Sequence, residues 1–329
     1  MITSVAFRNF KALRGTSLAL APCNLVIGSN GSGKTSLIEA LLRLRALAKL
    51  PLASGAAPAL NPRGPRIEFR FAPPHEAIEV RLDCVSELVC DLLRVVPAGA
   101  AGWPALKSDL ARIRSYRLDP SAMAEGAPRA SGGELTSNGG NLAAVLAVRR
   151  DQAPEAFAAL TTEFLRLMPE FVALELVDRG GGTVGIELRI GDGDWVTADN
   201  ISQGTLNALA VVTLAFNPEP PSLMCIEEID RGIHPRMLRE MRDALYRLSY
   251  PESFGLSRPP VQVIATTHSP YMLDLFREHP EEIVIAQKHG SEARFERLAD
   301  RTDLAELLRE GSLGDMWFSG ILGGVPDEP

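Results

Sequence analysis

The chain has 329 residues, 46% of them hydrophobic and 23% charged, and a net charge of −7. That length buries a large core, as one α/β domain or two lobes, while the negative balance excludes a surface that attracts nucleic acid as a whole. No apolar run reaches the about 18–20 residues of a membrane span, and "MITSVAFRNF" lacks the basic start and apolar stretch of a secretory leader, so a cytoplasmic location is expected.

Four cysteines, Cys23, Cys84, Cys90 and Cys225, form no CxxC pair. That spacing argues against a disulfide framework or a structural zinc and fits a reducing compartment.

The first predicted strand with a consequence is Asn24 to Ile27, followed by "GSNGSGKT" and a helix over 36–50. The loop fits G-x-x-x-x-G-K-[ST] with Gly28, Gly33, Lys34 and Thr35. Glycines let successive N–H groups turn inward onto phosphate oxygens. Lys34 adds a point charge at the β- and γ-phosphates, and the Thr35 hydroxyl can ligate Mg²⁺. The helix dipole favours the same anion. Candidate phosphate-cradling residues are therefore Gly28, Ser29, Asn30, Gly31, Ser32, Gly33, Lys34, Thr35 and Ser36. Leu37, Leu41, Leu44 and Ala48 share the apolar helical face, and Pro51 marks the stop.

A Pro/Gly/Ala loop follows at 51–65. Then "RIEFRF" and "AIEVRL" alternate as a hairpin across "APPHE". Between 41 and 72 lie Arg43, Arg45, Lys49, Arg63, Arg66 and Arg70 against one acid, Glu68, and Arg112, Arg114 and Arg117 form a second basic group. Such clusters can meet a phosphate backbone, which makes DNA a candidate partner. Neither has interleaved aromatics for base stacking, so a solvated face is the plainer reading. Residues 131–140 read as a glycine-rich loop, 141–148 and 154–168 as helices, and "FVALELV" with "TVGIELRI" as a second hairpin.

A Ser-x-Gly-Thr turn (Ser202, Gly204, Thr205) opens an apolar helix to Phe216, an anion site by its exposed N–H groups. "SLMCIEEID" then reads as a strand ending in two adjacent carboxylates. Beside a phosphate loop, the first, Glu227, can hold the metal shell, and the second, Glu228, can polarise an attacking water. Finally, 261–266 is a β-branched strand with His268 at its tip. Ser269 and Pro270 look like a helix N-cap and first residue.

The order of these motifs, with "RGIHP" after the acids and "THS" after the last strand, resembles the ABC-type ATPase heads of the RecF, SMC and OLD-like group. The N-terminal "VAFRNFKAL" is similar to the segment that opens those heads. The compact bacterial "AAA family" ATPases, AAA_21-like, resemble it most, down to the tail "GSLGDMWFSGILGGVP". The resemblance covers about residues 1–45 and 198–290 well and the middle loosely.

The resemblance implies an α/β P-loop NTPase of ABC type, with a mixed sheet, an antiparallel β-subdomain and a helical lobe. As one head it would divide into 1–85 with the P-loop, 86–200 as an inserted lobe, and 201–329 with the remaining motifs. It implies ATP and Mg²⁺ as cofactors, with Thr35 and Glu227 on the metal. Lys34, Glu228 and His268 become catalytic, and Ser202, Gly204 and Thr205 reach the ATP of a second copy across an ATP-gated homodimer. Asp230 would sit at the dimer seam. By the resemblance, relatives serve DNA repair, plasmid maintenance or anti-phage defence, often beside a nuclease-type partner. The 61 residues after His268 are too few for a fused TOPRIM nuclease, so a separate effector is expected.

Two features depart from the family. Glu227 stands where these heads carry Asp, and no Q-loop glutamine is evident. "ASGGELTSNGG" looks like the transporter signature, but Ser131 lies too far from Glu227 for one helix and one strand. The rival readings are a transporter nucleotide-binding subunit, a non-hydrolysing ATP-sensing regulator and a P-loop kinase. The Ser-x-Gly-Thr turn and the length count against the first, the intact acids against the second, and the lack of a lid-like arginine motif against the third.

Overall fold

The structure is a computed structural model and describes residues 1–52, 64–86 and 88–323. The chain forms two compact units, one of Met1–Ser115, Pro221–Cys225 and Ser249–Pro329, the other of Tyr116–Pro220 and Ile226–Leu248.

The first unit begins with β1 (Ile2–Phe10), β2 (Leu13–Ala19), β3 (Cys23–Gly28), α1 (Lys34–Ala48), β4 (Arg66–Phe71), β5 (Glu79–Cys84), β6 (Cys90–Val96), α2 (Trp103–Ala111) and β7 (Ile113–Tyr116). The second unit follows with α3 (Pro120–Ala124), β8 (Ala127–Pro128), α4 (Leu142–Gln152), α5 (Pro154–Leu167), β9 (Phe171–Asp178), β10 (Thr183–Ile190), β11 (Trp195–Thr197) and α6 (Gln203–Ala215). The chain returns through β12 (Leu223–Ile226), gives α7 (Leu238–Ser249) to the second unit, and ends in the first with β13 (Gln262–Thr267), α8 (Pro270–Leu275), β14 (Ile283–His289), β15 (Glu292–Arg297), α9 (Leu304–Glu310) and α10 (Leu313–Phe318).

The first unit carries an antiparallel sheet ordered β2-β1-β4-β5-β6 and a mixed sheet ordered β15-β14-β3-β13-β12-β7. This is the expected α/β class with an antiparallel subdomain. Strand β3 is buried along its whole length between β13 and β14, both parallel to it. Burial on both faces explains why "CNLVIG" is nearly continuous in apolar residues rather than alternating. Gln262 ties the two sheets: the Ile2 N–H donates to its Oε1 (2.8 Å) and its Nε2 donates to the Ile2 carbonyl (2.7 Å). On α1 the buried face is Leu37, Ile38, Ala40, Leu41, Leu44 and Ala48, which includes the predicted stripe. Most of the loop expected at 51–65 lies outside the described residues.

Both predicted hairpins form, β4 with β5 and β9 with β10. One expectation is corrected. Cys84 and Cys90 pair as a disulfide, because the β5–β6 register sets them directly opposite. The expectation of no disulfide rested on sequence spacing alone, and a hairpin turn closes that spacing. Cys23 and Cys225 are buried and outside the disulfide.

The basic residues near β4 are largely matched to acids. Arg66 meets Asp83 at 2.8 Å, Arg94 meets the same carboxylate at 2.7 Å, Arg70 meets Glu79 at 3.4 Å and Arg43 meets Asp91 at 3.9 Å. Arg63 lies outside the described residues.

In the second unit, α6 is buried on every side from Gly204 to Ala215. A helix apolar all round is a core helix. Arg149 of α4 holds its C-terminal end. The guanidinium donates to the Thr213 carbonyl (2.8 Å) and to Asn217 Oδ1 (3.3 Å), and burial pushes its pKa down to about 10. Replacing Arg149 by Ala strands the Thr213 carbonyl in the core. It is expected to cost about 1–3 kcal/mol, readable as a lower denaturation midpoint.

The glycine-rich stretch 131–140 is closed on one side chain. Asn141 Oδ1 accepts from the Thr136 N–H (2.8 Å), and its Nδ2 donates to the carbonyls of Ser131 (2.6 Å) and Glu134 (2.8 Å). The stretch is a pinned loop ahead of α4, as expected. Among the described residues, no helix is long and apolar enough to cross a membrane.

Candidate nucleotide site

The glycine-rich loop of residues 28–35 leaves the buried end of β3. Gly28 has no room for a side chain: a Cβ there would stand 2.4 Å from the Ala286 carbonyl oxygen and 2.5 Å from Ser32 Oγ. Gly31 (φ +75°) and Gly33 (φ +99°) are left-handed, the alternation that turns main-chain N–H groups into a concave nest. Gly33 caps α1 without any side-chain bond, and no acidic residue occupies the first turn. Both features leave the positive end of the helix for an outside anion.

Lys34 folds back over the loop, its Nζ donating to the carbonyls of Gly28 (2.6 Å) and Ser29 (3.0 Å). Asn30, Gly31 and Thr35 are exposed, Ser29, Lys34 and Ser36 half-buried, and Gly28, Ser32 and Gly33 buried. Ser32 Oγ is buried with no hydrogen-bond partner among the described residues. An orphaned hydroxyl inside a ring of N–H donors suits an anion-binding cradle.

His268 follows β13 immediately. Register pairs Thr267 with Ile27, so His268 leaves the sheet beside the strand that ends in Gly28, and it is exposed. The Ser269 N–H donates to Thr267 Oγ1 (2.9 Å), which fixes the turn into α8. Ser269 is the N-cap and Pro270 the first helical residue, as predicted, although the serine hydroxyl makes no cap bond.

The paired acids belong to the second unit. The Glu227 N–H donates to the Tyr116 carbonyl at 2.8 Å. Burial holds the Glu227 carboxyl above the usual range; the Arg117 guanidinium opposes that shift and the Glu228 carboxylate adds to it. Both line a shallow cleft with Arg117, Asn207, Val211 and Ile229. Glu228 takes a left-handed backbone, φ +52°, a conformation that strains a residue with a side chain.

The turn after Glu228 is welded to the start of α6. The Arg231 N–H closes on the Glu228 carbonyl (2.8 Å). Asn207 Nδ2 donates to the Arg231 carbonyl (2.7 Å), while its Oδ1 is buried without a partner among the described residues. Gly204 lies flush against Gly232, where a Cβ would come within 2.1 Å of the Gly232 oxygen. Ser202 caps the helix: its Oγ accepts from the Thr205 N–H (3.1 Å) and lies 2.7 Å from the Thr205 hydroxyl. Ser202 is exposed, whereas Gly204 and Thr205 are buried. Within the second unit, then, the acids and the serine-glycine turn are one piece. Arg117 entered the sequence reading only as one of a basic group, and Asn207 not at all; an asparagine inside an apolar helix was the available signal.

Among solved structures, the fold is similar to an SmcHead bound to the C-winged helix domain of ScpA. The TM-score is 0.58 at 15% identity, over 90% of this chain and 96% of that one. It is also similar to an Smc head domain with an extended coiled coil, bound to the C-terminal domain of ScpA derived from Pyrococcus furiosus. There the TM-score is 0.55 at 13% identity, over 94% and 99%. At these identities the likeness shows the fold, that of an SMC-type ATPase head. No curated protein matches the chain. Residues 1–61 match the family described as "AAA ATPase domain". Residues 105–274, just over half of the 329, match the family described as "AAA domain, putative AbiEii toxin, Type IV TA system". The chain belongs to that second family and is an ATPase head of AAA type.

Proposed function

We propose that this chain is a Mg²⁺-dependent ATPase that closes as a homodimer on ATP and reopens on hydrolysis, its output conformational rather than metabolic. The observation that carries the reading is the Lys34 ammonium, held across the mouth of the 28–35 loop by two carbonyls that a polyphosphate would replace. The charge is in place before the ligand arrives, so little reorganisation is needed when it binds.

By their place in the motifs, the exposed Thr35 hydroxyl and the Glu227 carboxylate would be the oxygen donors offered to Mg²⁺. A bound Mg²⁺ would supply charge neutralisation on the polyphosphate. Glu228 orients a water and accepts its proton as the water oxygen bonds to the γ-phosphorus. The bond to the bridging oxygen breaks and ADP leaves with the electron pair. Lys34 stabilises charge on the departing oxygens, and the His268 imidazole donates to the γ-phosphate. Ser202, exposed at its helix start, is the group for a second copy's ATP. Gly204 and Thr205 support it from behind.

Closure follows from linkage: ATP favours the dimer because it contacts both copies only there. The matching family's description names a toxin, which favours a defence role beside a separate effector or nuclease over DNA repair. The Arg–carboxylate pairing around β4 gives DNA no evident landing site there. Light scattering of the Glu228→Gln protein tests the reading. It is expected to be monomeric without nucleotide and dimeric with saturating MgATP. A protein of one size under both conditions refutes the gating.

A further inference from the structure

The loop has a second cation beside it that the motif does not include. Strand β14 runs parallel to β3 with Ala286 opposite Gly28. Side chains alternate along a strand, so Lys288, two residues on, shares the face of Ala286. Both contacts follow that rule. The Cβ of Ala286 lies 2.8 Å from where a Gly28 Cβ would be. Lys288 lies next to Gly31, its Nζ 3.7 Å and its Cδ 3.8 Å from the corresponding point. Gln287, on the other face, packs instead against Gly323.

The hairpin holds this position. Gly290 (φ +58°) turns the chain into β15, whose Ala293 and Phe295 approach Gly33 within 3.4 and 3.5 Å of its Cβ point. The cross-strand neighbour of Lys288 is Ala293, so no carboxylate stands opposite. The Lys288 side chain has no hydrogen bond or ion pair among the described residues, and the residue is exposed. Most other cations of this unit's sheet faces are matched to acids. This one stands over the nest.

We infer that Lys288 is a nucleotide-binding residue: its ammonium, carried by β14, contacts the diphosphate portion common to ATP and ADP from the side of the loop away from His268. Strands β14 and β13 flank β3 on opposite sides, which separates Lys288 from the group assigned to the γ-phosphate. The inference rests on the proposed nucleotide reading and adds to it a contact indifferent to whether the γ-phosphate is present.

Calorimetric titration of the full chain with MgADP and MgATP tests it. Lys288→Ala is expected to weaken both about tenfold, the scale of one charge-assisted contact. Lys288→Arg should recover most of the loss, and the KM for ATP should rise in step. Because the side chain is exposed, an unchanged melting temperature shows that the variant is folded. An unchanged ADP affinity in Lys288→Ala overturns the inference. A loss confined to ATP does too, since it moves the contact to the γ-phosphate. Wild-type protein that takes up neither nucleotide overturns the parent reading and this one with it.

Discussion

Glu228→Gly protein is expected to be more stable than wild type and nearly inactive. At φ +52° a residue with a Cβ pays about 1–2 kcal/mol of backbone strain, which glycine escapes. Glycine's greater freedom in the unfolded chain returns part of that gain, leaving ~0.5–1 kcal/mol and a melting temperature about 1 °C higher. Under the proposed role of Glu228 in orienting water, loss of its carboxylate should cut ATP turnover about 10²- to 10⁴-fold. Glu228→Ala separates the effects: it loses the same activity but keeps the strain. Scanning fluorimetry and a phosphate-release assay read both quantities. If the glycine variant melts no higher than the alanine variant, the left-handed turn is not strained. If either variant keeps wild-type turnover, the role of Glu228 falls.

Gly204→Ala carries the largest expected cost to the fold. The new methyl would lie 2.1 Å from the Gly232 oxygen, and both partners are main chain, so neither can rotate away. Separating α6 from the 228–232 turn should cost about 2–4 kcal/mol. It should also tilt Ser202 and Glu228 together, which would abolish the proposed ATP-dependent dimerisation while leaving nucleotide binding at the proposed 28–35 site intact. Gly133→Ala is the control, since nothing lies within 4 Å of its Cβ point. Denaturant melts and sizing with MgATP should show a large effect at 204 and almost none at 133. Equal effects would mean that the glycine at 204 is not there for packing.

Local chemistry made part of this fold legible. The strand, loop and helix around Lys34 were readable because a loop built to cradle phosphate demands particular residue types at fixed spacing. The helix nonetheless begins at Lys34 rather than Ser36, since a left-handed Gly33 starts it two residues sooner. Alternation revealed the β4–β5 and β9–β10 hairpins. It did not reveal that β4 also pairs with β1, because register between distant strands is a tertiary choice. Strand β6 and helix α2 were missed. Among the described residues the first pairs only with β5, and the second is a nine-residue helix, so neither had much periodicity to count.

In the candidate site, the acids and His268 stood out because they end apolar strands. Arg117, Asn207 and Lys288 did not, since each acquires meaning only from a neighbour far along the chain. Gly204 was read as part of an anion turn; its packing against Gly232 supplies a second and stricter reason for glycine.

The interlocked arginines and carboxylates across β4, β5 and β6 bear on purification. A sheet face whose guanidinium groups already sit on Asp83, Glu79 and Glu68 offers a column of sulfated polysaccharide no unspent charge. With a net charge of −7, the protein should pass through heparin and be retained on an anion exchanger. Retention on heparin would trace to some other surface.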